Sequence, residues 1–298
     1  MTAEPLIRAE GLGLSLPDRG ARAGRLGFGA PPLLDILQDI DLTVGAGESV
    51  GLVGESGSGK TSLGRTLMRL YRPTAGRLTF EDRDITGLGE GALRPLRADM
   101  QFIFQDPQSS LNPRARIGEI LSQPLHAFGR AKGRRDAWAQ ASALLERVGL
   151  PPSFAGRYPH ELSGGQRQRV GIARAIALKP RLVVADEVVS GLDVSSQAQI
   201  LALLNELKRD LGLALVFISH DLSVVRVLCD RVVVLRHGRI VEEGTCEGVF
   251  AAPGDPYTQE LLAAIPLPEV QPGWIFDDAR GAADQVDGAS AGGSGGAR

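Results

Sequence analysis

A chain of 298 residues in which 43% are hydrophobic and 23% charged has the composition of an ordinary globular protein, which excludes collagen-like, wholly disordered and disulfide-scaffold classes. Its formal net charge of -2 lacks the broad positive field of a nucleic-acid binder, so no nucleic-acid partner is expected. No run approaches the roughly 18 apolar residues of a membrane span, and MTAEPLIRAE lacks the apolar stretch of a secretory signal, so a cytosolic location is expected.

Residues 17 to 32, PDRGARAGRLGFGAPP, form a Gly/Pro/Arg-rich insertion between two short apolar segments and read as a surface loop. SVGLVG (49 to 54) is a compact apolar run ending in glycine, the pattern of a buried strand, and TSLGRTLMRL (61 to 70) puts Leu63, Leu67 and Leu70 on one helical face. From about Pro113 to Leu162 the pattern is helical, with no convincing strand, and its basic run Arg130 to Arg135 reads as a solvated face. RLVVAD (181 to 186) and ALVFISH (214 to 220) are further buried-strand patterns. Between them SQAQILALLNELKRDLG (196 to 212) is an amphipathic helix stopped by Gly212.

Apolar runs separated by helices predict an α/β fold of parallel strands covered on both faces, interrupted by a helical subdomain. Cys229 and Cys246 lie far apart without metal-ligand spacing and read as packing residues. The tail over 277–298 has almost no large apolar side chains and is expected to be disordered, because burial cannot offset its ordering entropy.

Three segments carry chemistry. Gly54, Glu55, Ser56, Gly57, Ser58, Gly59, Lys60 and Thr61 match the phosphate-binding loop G-x-x-x-x-G-K-[ST] in its required place, after a strand and before a helix. Glycines let backbone N–H groups converge on phosphate oxygens, and the helix start adds a favourable dipole. Lys60 is then the cation for the β and γ phosphates and the Thr61 hydroxyl a ligand for Mg²⁺. The second segment is the strand ending in Asp186-Glu187. Its first carboxylate, Asp186, can reach the Mg²⁺ shell through water, and its second, Glu187, can act as the base for an attacking water. The third is Leu162-Ser163-Gly164-Gly165-Gln166 before the helix RQRVGIARAIAL. Ser163 is a good N-cap and the glycines leave N–H groups open, so this is a second anion site.

The order of this loop, Gln105, LSGGQ, Asp186-Glu187, Ser190-Gly191-Leu192-Asp193 and His220 resembles that of the nucleotide-binding subunits of ATP-binding cassette transporters, over about residues 5 to 266. The resemblance implies a P-loop NTPase fold of the ABC-ATPase type, with a small N-terminal antiparallel β subdomain, a parallel core sheet and a helical subdomain across roughly 108–170. It implies that ATP is held by residues 54 to 62, Ser62 included, and in trans by Ser163, Gly164, Gly165 and Gln166 of a second cassette, whether identical or not. Gln105 becomes a residue near Mg²⁺, Asp193 a dimer contact and His220 a switch touching the γ phosphate.

FIFQDPQSSLNPR (102 to 114) and GDPYTQELLAAIP (254 to 266) are similar to the ATPases of dipeptide, oligopeptide and nickel importers. That branch implies residues 1–250 as the ATPase domain, 251–276 as its C-terminal extension, and ATP hydrolysis driving import of a peptide, with nickel as the alternative solute. Its partners are integral-membrane permease subunits and, indirectly, an extracytoplasmic solute-binding protein, which places the chain peripherally on the cytoplasmic face of the inner membrane. Three departures stand out: Val188-Val189 where many cassettes have Pro-Thr, Asp255 where the branch usually has His, and no obvious adenine-stacking aromatic, Leu16 lying near its place and Phe28 within the loop. Some relatives hold an iron–sulfur cluster on four C-terminal cysteines, and with Cys229 and Cys246 alone no such cluster is expected. A soluble cassette ATPase acting outside transport is the competing class. A small-molecule kinase built on the same loop leaves LSGGQ unexplained.

Overall fold

The computed structural model describes residues 5–18, 32–106 and 110–264. Phe28, most of the insertion within 17–32 and the tail 277–298 lie outside those residues. In chain order, β1 (Pro5–Pro17), β2 (Leu33–Gly45) and β3 (Ser49–Val53) lead into α1 (Lys60–Leu67). After it come β4 (Ala75–Phe80), β5 (Arg83–Asp84), the one-turn α2 (Glu90–Leu93) and β6 (Met100–Ile103). Helices α3 (Ile117–Ala127), α4 (Arg134–Arg147) and α5 (Gly164–Ile176) precede β7 (Leu182–Asp186), α6 (Val194–Leu211), β8 (Ala214–Ile218) and α7 (Leu222–Leu228). The chain continues through β9 (Arg231–Arg236), β10 (Arg239–Thr245), α8 (Cys246–Ala251) and α9 (Pro256–Ala263).

The all-apolar runs form the middle of one six-stranded sheet, ordered β10-β9-β3-β8-β7-β6, whose pairings are parallel except for the β9–β10 hairpin. A second, antiparallel sheet is ordered β2-β1-β4-β5. Because side chains alternate along a strand, each central strand feeds two cores. Ala214, Val216 and Ile218 of β8 face the antiparallel sheet and α1, whereas Leu215 and Phe217 face the opposite layer of helices. Most buried apolar residues of α3 and α4 belong to that second core, where Ile117, Leu121 and Leu145 join one apolar cluster with Val183 and Phe217, while Leu125 packs in a smaller cluster with Ala98 and Leu178. The inserted helices pack mainly against each other and against α5, and their apolar side chains continue the core on that side of the sheet.

Helix α1 lies against the sheet at close range. A Cβ on Gly64 would stand 2.7 Å from Ile218 Cδ1 and 3.0 Å from Val184 Cγ1, so glycine permits the approach that seats Leu63 and Leu67 in the core. The helix stops at Leu67, earlier than the periodicity indicates, and Leu70 is 45% exposed instead of sharing the buried face. The cause is Arg69, which takes φ 52° and sends its guanidinium into the carbonyls of Ile85 (2.8 Å) and Leu88 (3.0 Å). Those tertiary bonds turn the chain out of the helix.

At the insertion, Pro17 still pairs with Leu33, and the Asp18 N–H donates to the Pro32 carbonyl at 2.8 Å, bringing the ends together. Gly212 ends α6 in the left-handed conformation at φ 60°, as its position foretold. Cys229 and Cys246 are buried thiols, and burial pushes the Cys246 thiol up to about 11. No described helix is long and apolar enough to cross a membrane.

Candidate functional site

The glycine-rich loop connects β3 to α1 at the carboxyl edge of the parallel strands, the edge where open α/β sheets take their ligands. Gly54 adopts φ 144°, and a Cβ there would lie 2.1 Å from the Leu235 carbonyl oxygen, so no other residue fits. Gly59 occupies the N-cap of α1 at φ 108° and leaves the helix start without a side-chain cap. The first N–H groups of α1 therefore have no hydroxyl or carboxylate from the cap position and suit an anion.

Lys60 is buried and folded back on the loop, its Nζ donating to the carbonyls of Gly54 and Glu55 at 2.7 Å each. Desolvation lowers its pKa, opposed by the charges of Glu187, Asp186 and Glu55. Next to it the Thr61 hydroxyl donates to Asp186 Oδ1 at 3.0 Å. Burial raises the Asp186 pKa, opposed by the Thr61 hydrogen bond and the Arg65 charge. This hard-oxygen pair, one hydroxyl and one carboxylate beside a phosphate-binding loop, fits the donor chemistry of Mg²⁺.

Glu187 follows at φ 46°, a left-handed conformation that costs a non-glycine residue free energy and is held here by its N–H bond to the Ile218 carbonyl at 2.9 Å. Its carboxylate is the meeting point of two distant segments. Gln105 Nε2 donates to Oε2 at 2.7 Å, and His220 Nδ1 lies 3.3 Å from Oε1. Gln105, Glu187 and His220, read from three separate parts of the sequence, are thus one cluster beside Thr61 and Asp186. Val188 and Val189, the departure that follows, are buried in the helical-side core.

The LSGGQ segment forms a reciprocal cap. Ser163 Oγ accepts from the Gln166 N–H at 3.3 Å while Gln166 Oε1 accepts from the Ser163 N–H at 3.0 Å. Gly164 and Gly165 lie against Leu192 and Ser196, so a Cβ at Gly165 would stand 3.4 Å from Ser196 Oγ. Asp193 caps α6 through its bonds from the Ser196 N–H (2.8 Å) and hydroxyl (2.7 Å), the first of which does most to lower its carboxyl pKa. The neighbouring Val194 is 68% exposed, an apolar side chain left in water beside this segment. A cavity of about 330 Å³ separates Gln105 and Asp106 from Gly164, Arg167 and Gly191.

One residue at the loop has no counterpart among the sequence-derived candidates. The Tyr257 hydroxyl accepts the Glu55 N–H at 2.9 Å from 202 positions away. Asp-Pro-Tyr is legible as a helix start, and Asp255 does cap α9 through the Tyr257 N–H at 2.8 Å, but nothing local reports the loop as the partner of the phenol. Leu16, near the place of an adenine-stacking aromatic, is half-buried against the core between the two sheets.

A family model described as ABC transporter matches residues 37–190. A putative peptide import ATP-binding protein of Brucella ovis is 48% identical over 269 residues, 90% of this chain and 81% of that protein. The glutathione import ATP-binding protein GsiA of Escherichia coli K12 is 47% identical over 266 residues, covering 89% of this chain and 42% of that longer one. Among solved structures, a dimeric ATP-binding cassette in a post-hydrolysis state with ADP and phosphate superposes with a TM-score of 0.71 at 28% identity, over 81% of this chain and 99% of that one.

Proposed function

Because the chain belongs to the ABC transporter family, we propose that it is the ATP-hydrolysing subunit of a peptide importer. The observation that carries the chemistry is the convergence of Gln105 and His220 on Glu187 next to the Thr61–Asp186 pair. Residues 54 to 62 bind the triphosphate, with Lys60 neutralising its β and γ oxygens. Thr61, Asp186 and Gln105 would hold Mg²⁺, which would supply charge neutralisation at the transferring phosphate. Glu187 accepts the proton of the attacking water, Gln105 fixes one oxygen of that carboxylate, and His220 senses the γ phosphate from the other side.

The capped start of α5 keeps the N–H groups of Gly164 and Gly165 open to an anion, and on this reading Ser163, Gly164, Gly165 and Gln166 serve the nucleotide of a second cassette, identical or not. Asp193 and the exposed Val194 lie at that contact. Residues 1–250 act as the ATPase domain, the helical stretch over about 108–170 faces the permease subunits, and 251–276 form an extension. Peripheral attachment at the cytoplasmic face of the inner membrane follows from those partners, with an extracytoplasmic binding protein delivering the solute. Peptide is favoured over nickel because the relatives in Brucella ovis and Escherichia coli are a putative peptide import and a glutathione import ATP-binding protein.

Specific ATPase activity of the purified chain, measured against protein concentration, tests the composite site. Activity rising with concentration agrees with paired cassettes, and constant activity in a verified monomer contradicts them.

A further inference from the structure

One peptide unit of the phosphate loop is held at both ends. The carbonyl of Gly54 accepts from Lys60 Nζ at 2.7 Å, and the N–H of Glu55, on the same peptide plane, donates to the Tyr257 hydroxyl at 2.9 Å. In a planar trans peptide the C=O and N–H point in opposite directions, so anchoring one fixes the other. Gly54 itself sits against the Leu235 carbonyl in a conformation only glycine adopts, which leaves the orientation of this peptide to its hydrogen-bond partners.

The phenol is delivered from a rigid mount. Tyr257 is 2% exposed, and the Arg236 guanidinium lies over its ring at 4.6 Å. Asp255 caps the helix that carries it, and Glu242 on β10 accepts the N–H groups of Gly254 (2.7 Å) and Asp255 (3.1 Å). A segment that composition would place as an appendage is therefore fastened to the sheet and reaches the loop with a single hydroxyl.

We propose that Tyr257 is a positioning residue for ATP binding: it orients the Gly54–Glu55 peptide and, through the Gly54 carbonyl, the Lys60 ammonium. The proposal rests on the reading of residues 54 to 62 as the ATP loop. Without the hydroxyl the Glu55 N–H loses its partner, the peptide keeps one anchor of its two, and Lys60, still bonded to the Glu55 carbonyl, is held less firmly for phosphate.

Tyr257→Phe keeps the ring and its packing and removes only the acceptor. Its Kd for a non-hydrolysable ATP analogue and its KM for ATP rise about 2- to 13-fold, a span set by the net loss of one partly buried hydrogen bond. Turnover at saturating ATP stays near the parental value, because Glu187 is untouched. Unchanged affinity, or a fall in kcat with KM unaltered, in a folded Tyr257→Phe overturns the proposal. If that variant does not fold, exchange of the Glu55 amide in the wild-type chain decides by NMR: strong protection supports the bond, and exchange at the rate of a free amide overturns it. Wild-type chain that fails to bind the analogue at all refutes the loop assignment itself, a result distinct from either.

Discussion

Replacing Glu187 by Gln isolates the proton-accepting step with little change of shape. In the parent, one carboxylate oxygen accepts from Gln105 at 2.7 Å and the other lies 3.3 Å from His220. An amide oxygen keeps the Gln105 bond but cannot take a proton from water, so the loss falls on chemistry. A positioned general base contributes about 10²- to 10⁴-fold in rate, which is about 2.7 to 5.5 kcal/mol of barrier. Binding moves the other way or not at all: the Glu187 charge is among those acting on Lys60, and its removal takes a negative charge away from an incoming polyphosphate. Phosphate release at saturating ATP reports the first quantity, and titration with a fluorescent ATP analogue reports the second. Turnover within about tenfold of the parent would assign the base elsewhere, since that is below the range for losing such a group.

Ser163→Arg removes a reciprocal cap and puts a bulky cation at the helix start, so turnover is abolished while ATP binding at the P-loop stays near the parental value. Equal loss of both in equilibrium binding contradicts a site acting in trans. Leu63→Ala empties a fully buried position between α1 and the sheets and lowers unfolding free energy by about 2–5 kcal/mol in urea titration, the range for such truncations. A third change probes pH. Burial pushes the Asp230 carboxyl up, but hydrogen bonds from the Ser49 hydroxyl and N–H and from Lys208 more than reverse it, leaving the group below the usual range. A carboxylate with a depressed folded pKa stabilises above its unfolded value and loses that contribution as pH falls through the folded one. Asp230→Asn is therefore less stable than the parent at pH 7, and the gap narrows below about pH 4, where the unfolded carboxyl titrates. A gap independent of pH refutes the assignment.

The parallel strands were legible because burial on both faces makes a short run apolar throughout, as in Leu182–Asp186 and Ala214–Ile218, which are buried at every position. The caps were legible because Ser163 and Gly212 act within a few residues of themselves. Leu70 was misread because the end of α1 is set by Arg69 bonding to carbonyls 16 and 19 residues onward, which helical periodicity does not encode. The long β1 strand is also hard to read, since register shifts along its pairing with β2 leave Leu12, Gly13 and Leu14 buried in succession and break the alternation. At the site, residue types and order marked Lys60, Thr61, Gln105, Asp186, Glu187 and His220. Tyr257 escaped because its partner is a backbone N–H, which has no signature in the residue that carries it.

In the proposed function, ATP hydrolysis at Glu187 drives peptide across a membrane through separate subunits. Its most direct test is uptake of labelled peptide into vesicles carrying the permease subunits, their binding protein and this chain, with ATP on the cassette side. Peptide is expected to accumulate only with ATP, and accumulation is expected to stop when Glu187→Gln replaces the parent. Peptide uptake that continues with Glu187→Gln, or vesicles that accumulate nickel and never peptide, would contradict it.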